Sequence, residues 1–287
     1  VILNTIFFPF QHLDALLRHI QDIVEKHTDS EVLENCSKVL EYMCNDAYAI
    51  SGKCNVAQST LIDRLVEKFK EAYQDFFTEG DDPDEDDAYA LMASLKRIYA
   101  FYSCHDVNRW SIWPELFSIV KGGQEGQGIP EEIVCKSMAC CSLSVIWYLE
   151  ALDESNPDKV RMKDLKKKLN HFMQLCHELL YSPHEKIQEE AYITVCDLLI
   201  IFSKQLYANN LIMKPLSFEP DRNMQSQLAG FLNDKVFIDD EDDDMDENQK
   251  IEELHKRRNF LASFCKLVVY NVIPIRSAAD MFKFYMR

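Results

Sequence analysis

The histidines and a glycine-rich stretch are the first residues to test for chemistry in this sequence of 287 residues. A zinc-hydrolase helix needs the pattern HExxH, but His177-Glu178 is followed by Leu-Leu-Tyr. The stretch 122–129 is predicted to be a glycine-rich loop, and it lacks the lysine and the serine or threonine of a nucleotide-binding loop. No GxSxG pattern occurs either. The sequence therefore predicts a protein that is not an enzyme, with no metal site and no cofactor.

Two acidic runs could hold a cation or attract a basic partner. The first, EGDDPDEDD at 79–87, directly precedes a predicted helix, where each exposed carboxylate stabilises the helix dipole by about 0.3 to 1 kcal/mol. We interpret it as a loop with a charged helix cap. A calcium site is the alternative, although the spacing DDPDEDD lacks the glycine and the closing glutamate of an EF-hand loop. The second run, 239–249, is predicted to be a mobile loop that its charge keeps in water.

Charge and cysteine usage restrict the class of protein further. The formal net charge is −17, which disfavours a chain whose main task is to neutralise nucleic-acid phosphates. Two basic clusters could still contact DNA weakly: HKRR at 255–258, and the lysines Lys163, Lys166, Lys167 and Lys168, which are otherwise interpreted as a solvated helix face. The ten cysteines have neither zinc-knuckle nor CxxC spacing, so we expect reduced core thiols in a cytosolic or nuclear protein.

Apolar residues recur at intervals of three and four in successive segments, which is typical of amphipathic helices. The clearest pair covers about 159–181 and 185–206 and is separated by Ser182-Pro183, so it is predicted to form a helical hairpin. One hairpin leaves half of its apolar surface in water, and similar hairpins before and after it would cover that surface. The sequence therefore predicts an all-α fold of roughly eleven helices, a HEAT-type solenoid in which residues 1–287 form a single array.

The ends and the hydropathy of the chain lead to two further expectations. No stretch of about eighteen uncharged apolar residues occurs, and neither end resembles a signal peptide, so we expect a soluble protein with no membrane partner. The chain begins with valine, and its last segment stops within a predicted helix. We therefore expect a fragment of a longer protein.

Several stretches together resemble one family. They are EGDDPDEDDAYALMASLKRIYAFYSCHDVNRW (79–110), EEAYITVCDLLIIFSKQL (189–206), MQSQLAGFLNDKVFID (224–239), and KIEELHKRRNFLASFCKLVVYNVI with AADMFKFYMR after it (250–287). From about Leu61 onward the chain resembles the stromalins, the HEAT-repeat stromal antigen subunits of cohesin. The resemblance implies the C-terminal half of the family's HEAT array.

This resemblance implies a regulatory cohesin subunit that binds the kleisin subunit and also engages DNA, the loader and cohesin regulators. Such a protein supports sister-chromatid cohesion and chromosome segregation in the nucleus, on chromosomes and centromeres, in mitosis or meiosis, and takes no small-molecule substrate. By analogy, kleisin docks through charged and aromatic residues of the last third of the chain, namely Lys214, Phe218, Asp221, Arg222, Asp234, Lys235, Phe237, His255, Arg257 and Arg258. Charge reversal at Asp221 is expected to weaken kleisin binding without lowering thermal stability.

Two alternatives remain within the class of helical-repeat proteins. An acidic import carrier would capture basic localisation signals, and it would need acidic and Trp/Asn residues that recur once per repeat; the sequence shows no such series. A weakly DNA-binding scaffold would use the four lysines of 163–168, and its affinity would depend strongly on salt.

Overall fold

The computed structural model describes residues 10–78, 83–153, 155–237 and 246–276, together with residue 279. This part of the chain is built of helices and contains no β-strand. Its α-helices are α1 (Phe10–Lys26), α2 (Ser30–Met43), α3 (Ser51–Phe76), α4 (Glu85–Tyr102), α5 (Trp113–Gln124), α6 (Glu131–Glu150), α7 (Lys159–Leu179), α8 (Glu185–Ile201), α9 (Arg222–Lys235) and α10 (Glu247–Val269). Short 3-10 helices lie at Asn108–Trp110, Lys204–Tyr207 and Leu211–Leu216. The predicted all-α fold is confirmed.

The chain divides into two compact units, Val1–Ile119 and Val120–Arg287. In the first unit, α3 packs along α4, α2 packs on α4, and α1 contacts both α2 and α3. The Arg97 guanidinium on α4 donates hydrogen bonds to the carbonyl oxygens of Val24 (2.8 Å) and Glu25 (3.1 Å). Arg97 therefore satisfies backbone acceptors at the C-terminal end of α1, which have no partner within the helix.

The second unit is centred on α8, which packs against α6, α7 and α10. In addition, α9 packs on α10, and the 3-10 helix Leu211–Leu216 packs on α7. Helices α7 and α8 pack on each other, so the predicted helical hairpin is confirmed. Whether residues 1–287 form one continuous array stays a prediction.

Aspartates cap several of the helices. Asp29, Asp84, Asp158, Asp221 and Asp246 each occupy the N-cap of a helix and accept a hydrogen bond from a backbone N–H of its first turn. Such a bond satisfies a donor that the helix itself leaves unpaired, and it typically contributes about 1 kcal/mol.

The acidic run at 79–87 contributes one of these caps. The Asp84 carboxylate accepts hydrogen bonds from the N–H groups of Asp86 and Asp87 at 2.9 Å, and the Asp87 carboxylate accepts one from the Asp84 N–H at 3.3 Å. The charged-cap interpretation is confirmed for residues 84–87, of which 85–87 belong to α4. Residues 79–82 lie outside the described part of the chain.

The glycine-rich stretch at 122–129 is only partly a loop, because α5 continues through Gly122 and Gly123 to Gln124. A Cβ atom would lie 2.7 Å from Ile129 Cδ1 at Gly122 and 2.7 Å from Val134 Cγ2 at Gly123. These glycines therefore permit close packing at the end of a helix instead of ending it.

The second acidic run is also partly helical. Residues 247–249 belong to α10, whose N-cap Asp246 forms a reciprocal capping box with Gln249. The remaining residues of the predicted loop, 239–245, lie outside the described part of the chain. Because α10 begins at Glu247, the basic residues at 255–258 lie in its middle and not at its start.

Helix α6 is, within the described residues, the one helix long and apolar enough by length and composition to cross a membrane. It packs against α7 and α8 and buries Ile133, Val134, Met138, Cys141 and Val145. The core helix of a folded unit has the same composition, so this packing accounts for its hydropathy.

All ten cysteines lie in the described part of the chain, and none forms a disulfide. Cys140, Cys141, Cys176 and Cys196 are fully buried, and burial raises the pKa of the Cys140 thiol to about 12. The predicted core location is confirmed for these four cysteines, and protonated thiols are poor nucleophiles.

Two glycines of the second unit provide a test of this packing. Gly230→Ala in the middle of α9 meets nothing within 4 Å, so the better helix propensity of alanine is expected to raise the free energy of unfolding by about 0.5 to 1 kcal/mol. Gly123→Ala is expected to lower it by about 1 to 3 kcal/mol, because its methyl group would overlap Val134.

Urea unfolding of the 287-residue chain measures both changes. A Gly123→Ala variant as stable as the unchanged chain would contradict the close packing of α5 on Val134.

Candidate partner-binding surface

The ten residues expected to bind kleisin all fall in the second unit. Lys214 and Phe218 lie in and just after the 3-10 helix Leu211–Leu216, while the others lie at the two ends of α9 and in the middle of α10. Helix α9 has 14 residues, so its ends are about 20 Å apart. A compact ligand cannot reach both ends, whereas an extended peptide can.

Asp221 is the N-cap of α9, as an aspartate directly before an amphipathic segment indicates. Its Oδ1 atom accepts a hydrogen bond from the Met224 N–H at 2.8 Å, while the residue itself, like Arg222, is exposed. The expectation that charge reversal leaves stability unchanged is therefore corrected. Replacing an aspartate N-cap with a residue that cannot accept this bond costs about 1 kcal/mol.

The C-terminal end of α9 is tied to α8. Lys235 Nζ lies 2.6 Å from Glu185 Oε1, and this hydrogen bond lowers the pKa of the Glu185 carboxyl. Asp234 is exposed, whereas Lys235 and Phe237 are half-buried. Of these three predicted contact residues, Asp234 is the most accessible to a partner.

In the basic cluster of α10, the two middle residues are paired and the two outer residues are exposed. Lys256 Nζ lies 2.5 Å from Glu189 Oε1 of α8, and Arg257 Nε donates to Glu253 Oε1 at 3.2 Å. His255 and Arg258 are exposed. These cations lie too far from the start of α10 for the helix dipole to disfavour them, and the carboxylates of Glu189 and Glu253 lie beside two of them.

An aromatic cluster holds these helices together. The ring of Tyr192 on α8 stacks on that of Phe231 on α9, with centroids 4.1 Å apart, and both meet Phe260 of α10 edge to face. The Tyr192 hydroxyl also donates to the Phe260 carbonyl oxygen at 3.3 Å. Such pairs contribute about 0.5 to 1.5 kcal/mol beyond the area they bury, so the charged outer faces of the three helices are held in fixed positions.

Phe218 is half-buried and is held in place by its neighbours. Its N–H donates to the Phe202 carbonyl oxygen at 2.7 Å, and Lys166 Nζ lies 5.7 Å from its ring centroid. Lys214 is exposed, with its Nζ 6.0 Å from the Tyr207 ring centroid. As an apolar anchor, Phe218 would therefore offer a partner only one side of its ring.

The four lysines considered for DNA contact differ in exposure. Lys163 and Lys167 are exposed, whereas Lys166 donates to the Ser217 carbonyl oxygen at 2.6 Å and Lys168 lies over the Tyr148 ring at 5.1 Å. Burial lowers the pKa of both Lys166 and Lys168. The four lysines are therefore not a uniform solvated face.

Several residues of these surfaces were not anticipated. Glu185 and Glu189, one helical turn apart on α8, pair with Lys235 and Lys256. The i, i+4 spacing of the two glutamates places them on one helix face and could have indicated their shared role. Lys159 was also missed, although it shares a helix face with Lys163 and Lys166 by the intervals of four and three.

A small cavity of about 320 Å³ lies between α6, α8 and α10, and its surroundings disfavour the charged form of one lining residue, Glu190. The cavity is lined by Glu132, Cys135, Glu189, Glu190 and Lys256, among others. Burial raises the pKa of Glu190, and the neighbouring Lys136 offsets this effect only in part. Among the residues that the structure describes, no group of three or more His, Cys, Asp or Glu side chains is arranged to hold a metal ion.

The fold and these surfaces define an all-α helical-repeat protein with charged helix faces. A sequence profile of the family described as "Cohesin subunit SCC3/SA, HEAT-repeats domain" matches residues 9–147. Similar curated proteins include cohesin subunit SA-1 of Xenopus laevis, with 41% identity over 96% of this chain and 22% of that protein, and cohesin subunit SA-3 of Homo sapiens, with 32% identity over 96% and 23%. Cohesin subunit scc-3 of Caenorhabditis elegans is 26% identical over 96% of this chain and 25% of that protein.

The chain belongs to the SCC3/SA family, the stromalins, as its sequence indicated. It covers 22%, 23% and 25% of the length of these three relatives, which is between about a fifth and a quarter.

Two glutamates of α8 allow the electrostatics to be tested by pH. Glu190→Gln is expected to raise the free energy of unfolding at about pH 7 and less at about pH 5. The reason is that a carboxyl with a raised pKa in the folded state loses stability as the pH rises through that pKa. Glutamine has the same shape and avoids this cost.

Glu185→Gln is the matched control. The pKa of Glu185 is lowered, so its contribution is present above the ordinary glutamate pKa and is lost only at lower pH. We expect this variant to be slightly destabilised by a similar amount at both pH values. A Glu190→Gln variant that is less stable than the unchanged chain at about pH 7 would show that the charge of Glu190 is stabilising.

Proposed function

We propose that this chain is a segment of a cohesin subunit that acts as a non-enzymatic HEAT-repeat scaffold. The observation that carries the proposal is the 41% identity to cohesin subunit SA-1 over 96% of the chain. At that level of identity, positions on the surface as well as in the core are shared between the two sequences. The expected place of action is the nucleus, on chromosomes and their centromeres, in sister-chromatid cohesion and chromosome segregation.

Within this proposal the kleisin subunit docks along the second unit, on the segment 214–237 and the middle of α10. Exposed charges of both signs occur there, at Lys214, Asp221, Arg222, Asp234 and Arg258. They are distributed along at least the 14-residue length of α9. A long, disordered linker that becomes ordered on binding can wrap such a surface, which suits a kleisin.

The loader, the cohesin regulators and DNA have less support than kleisin as partners of this segment. These partners would be engaged by the longer protein. The import-carrier alternative is disfavoured, since the relatives compared here are named as cohesin or sister-chromatid cohesion proteins.

The role of Asp221 can be separated into charge and helix capping. Asp221→Asn removes the charge and keeps an N-cap residue of equal quality, whereas Asp221→Lys removes both. If kleisin binds through the carboxylate, Asp221→Asn is expected to weaken binding about tenfold with an unchanged melting temperature. Asp221→Lys is expected to weaken binding more and to lower stability by about 1 kcal/mol.

Calorimetric titration of the 287-residue chain with the central segment of the kleisin from the same organism measures this effect. Asp158→Asn, the same exchange at the N-cap of α7, is the matched control and is expected to bind normally. A negative heat-capacity change would indicate coupled ordering and apolar burial. Weakened binding by Asp221→Lys alone would assign Asp221 a structural role, and no binding by the folded chain would overturn kleisin docking on this segment.

A further inference from the structure

A groove lies between α7 and the 3-10 helix Leu211–Leu216, with a volume of about 900 Å³. One wall carries Lys159, Lys163, Lys166 and Lys167, which project from successive turns of the same face of α7. The four lysines extend over about 12 Å along the helix axis. This length matches roughly four residues of an extended peptide, at about 3.3 Å per residue.

The positive charge of the groove is not compensated within the described part of the chain. None of these four lysines has a carboxylate within ion-pair distance among the described residues, in contrast to Lys235 and Lys256. Helix α7 carries six lysine or arginine residues and two acidic ones, whereas the whole chain has a net charge of −17. A groove of this kind attracts an acidic ligand, while the net charge of −17 makes two copies of this chain repel one another.

The opposite wall and the floor are apolar. Ile212 and Pro215 face the groove from the 3-10 helix, and Met162 contributes from α7. Ile212 is 51% exposed, and the neighbouring Leu211 is 76% exposed. Apolar side chains presented beside uncompensated cations favour a ligand that offers both apolar groups and negative charge.

We propose that this groove binds a short acidic peptide segment of a partner protein, with an apolar side chain against Ile212 and Met162 and carboxylates at the lysines. Duplex DNA fits the same charges less well, because phosphates would meet the lysines at the rim and leave the apolar floor unburied. The proposal goes beyond the proposed function, since a peptide that needs these lysines is chemically different from one that docks on the mixed charges of α9 and α10.

Fluorescence anisotropy on the 287-residue chain tests the proposal with defined probes. The main probe is a labelled peptide of about ten residues in which one leucine and one phenylalanine are flanked by glutamates. In one control peptide glutamine replaces every glutamate, and in another serine replaces both apolar residues. A labelled DNA duplex of about 20 base pairs is the fourth probe.

The double variant Lys163→Glu, Lys167→Glu is expected to weaken binding of the acidic peptide at least about tenfold. Both side chains are exposed and have no ion pair with a described residue, so the fold should be retained, and circular dichroism checks this. Ile212→Ser is expected to weaken binding about threefold to tenfold through the lost apolar contact. The double variant Lys26→Glu, Lys250→Glu changes the net charge equally at exposed residues that do not line the groove, and it should bind within about twofold of the unchanged chain.

The groove is supported if the acidic peptide binds, both control peptides bind more weakly, and only the groove variants lose affinity. Three results would overturn it. The first is an equal loss of peptide affinity in the Lys26/Lys250 variant, and the second is an unchanged affinity of the chain for the serine-substituted peptide. The third is that the DNA duplex binds more tightly than the acidic peptide and that the groove variants abolish this DNA binding. Kleisin titration of the groove variants separates the two proposals, because it reports on α9 and α10 whether or not the groove binds the acidic peptide.

Discussion

The enclosure of α8 is the constraint on which the second unit depends. This helix contacts α6, α7 and α10 at once, and it buries Tyr192, Thr194 and Cys196 in addition to its main apolar stripe. The Tyr192 ring joins α8 to α9 and α10 through Phe231 and Phe260. A helix enclosed on three sides cannot move without opening three interfaces, so the outer faces of its neighbours are held in fixed positions.

This enclosure also determines which charges remain available to a partner. Lys235 and Lys256 face the rim of α8 and are paired with Glu185 and Glu189, while Asp234 and Arg258 face solvent. Glu190 is drawn into the small cavity beside α6 and α10 and has a raised pKa as a result. Neighbouring residues of similar chemistry therefore have different roles, since pairing and burial change over one helical turn.

Two surfaces of the second unit differ in what they can recognise. The α9 and α10 surface has charges of both signs spread along helix lengths, and it suits an extended linker that makes many modest contacts. The groove beside α7 has charge of one sign next to apolar side chains, and it suits a short segment with a defined pattern. The Lys166 side chain lies between them, since it lines the groove and also donates to Ser217 and faces the Phe218 ring.

By itself, the sequence determined the helical class, the α7 and α8 hairpin, the cap at Asp221 and the family. Apolar spacing, prolines and aspartate caps are local signals, and each acts within one or two helical turns. It did not reveal that Gly122 and Gly123 continue α5, that α10 begins at Glu247, or that α8 ends at Ile201 before a 3-10 helix. These boundaries depend on what packs against them, as the contact of Gly123 with Val134 shows.

Only the tertiary structure decided which charged residues can function. Four consecutive basic residues, His255 to Arg258, appear equivalent in sequence, yet two are paired and two are exposed. Lys163 and Lys166 likewise appear equivalent, yet only Lys166 is tied to a carbonyl oxygen. The physical reason is that helix periodicity states which residues share a face, whereas partners such as Ser217 for Lys166, at a separation of 51 residues, and Glu189 for Lys256 come from distant segments.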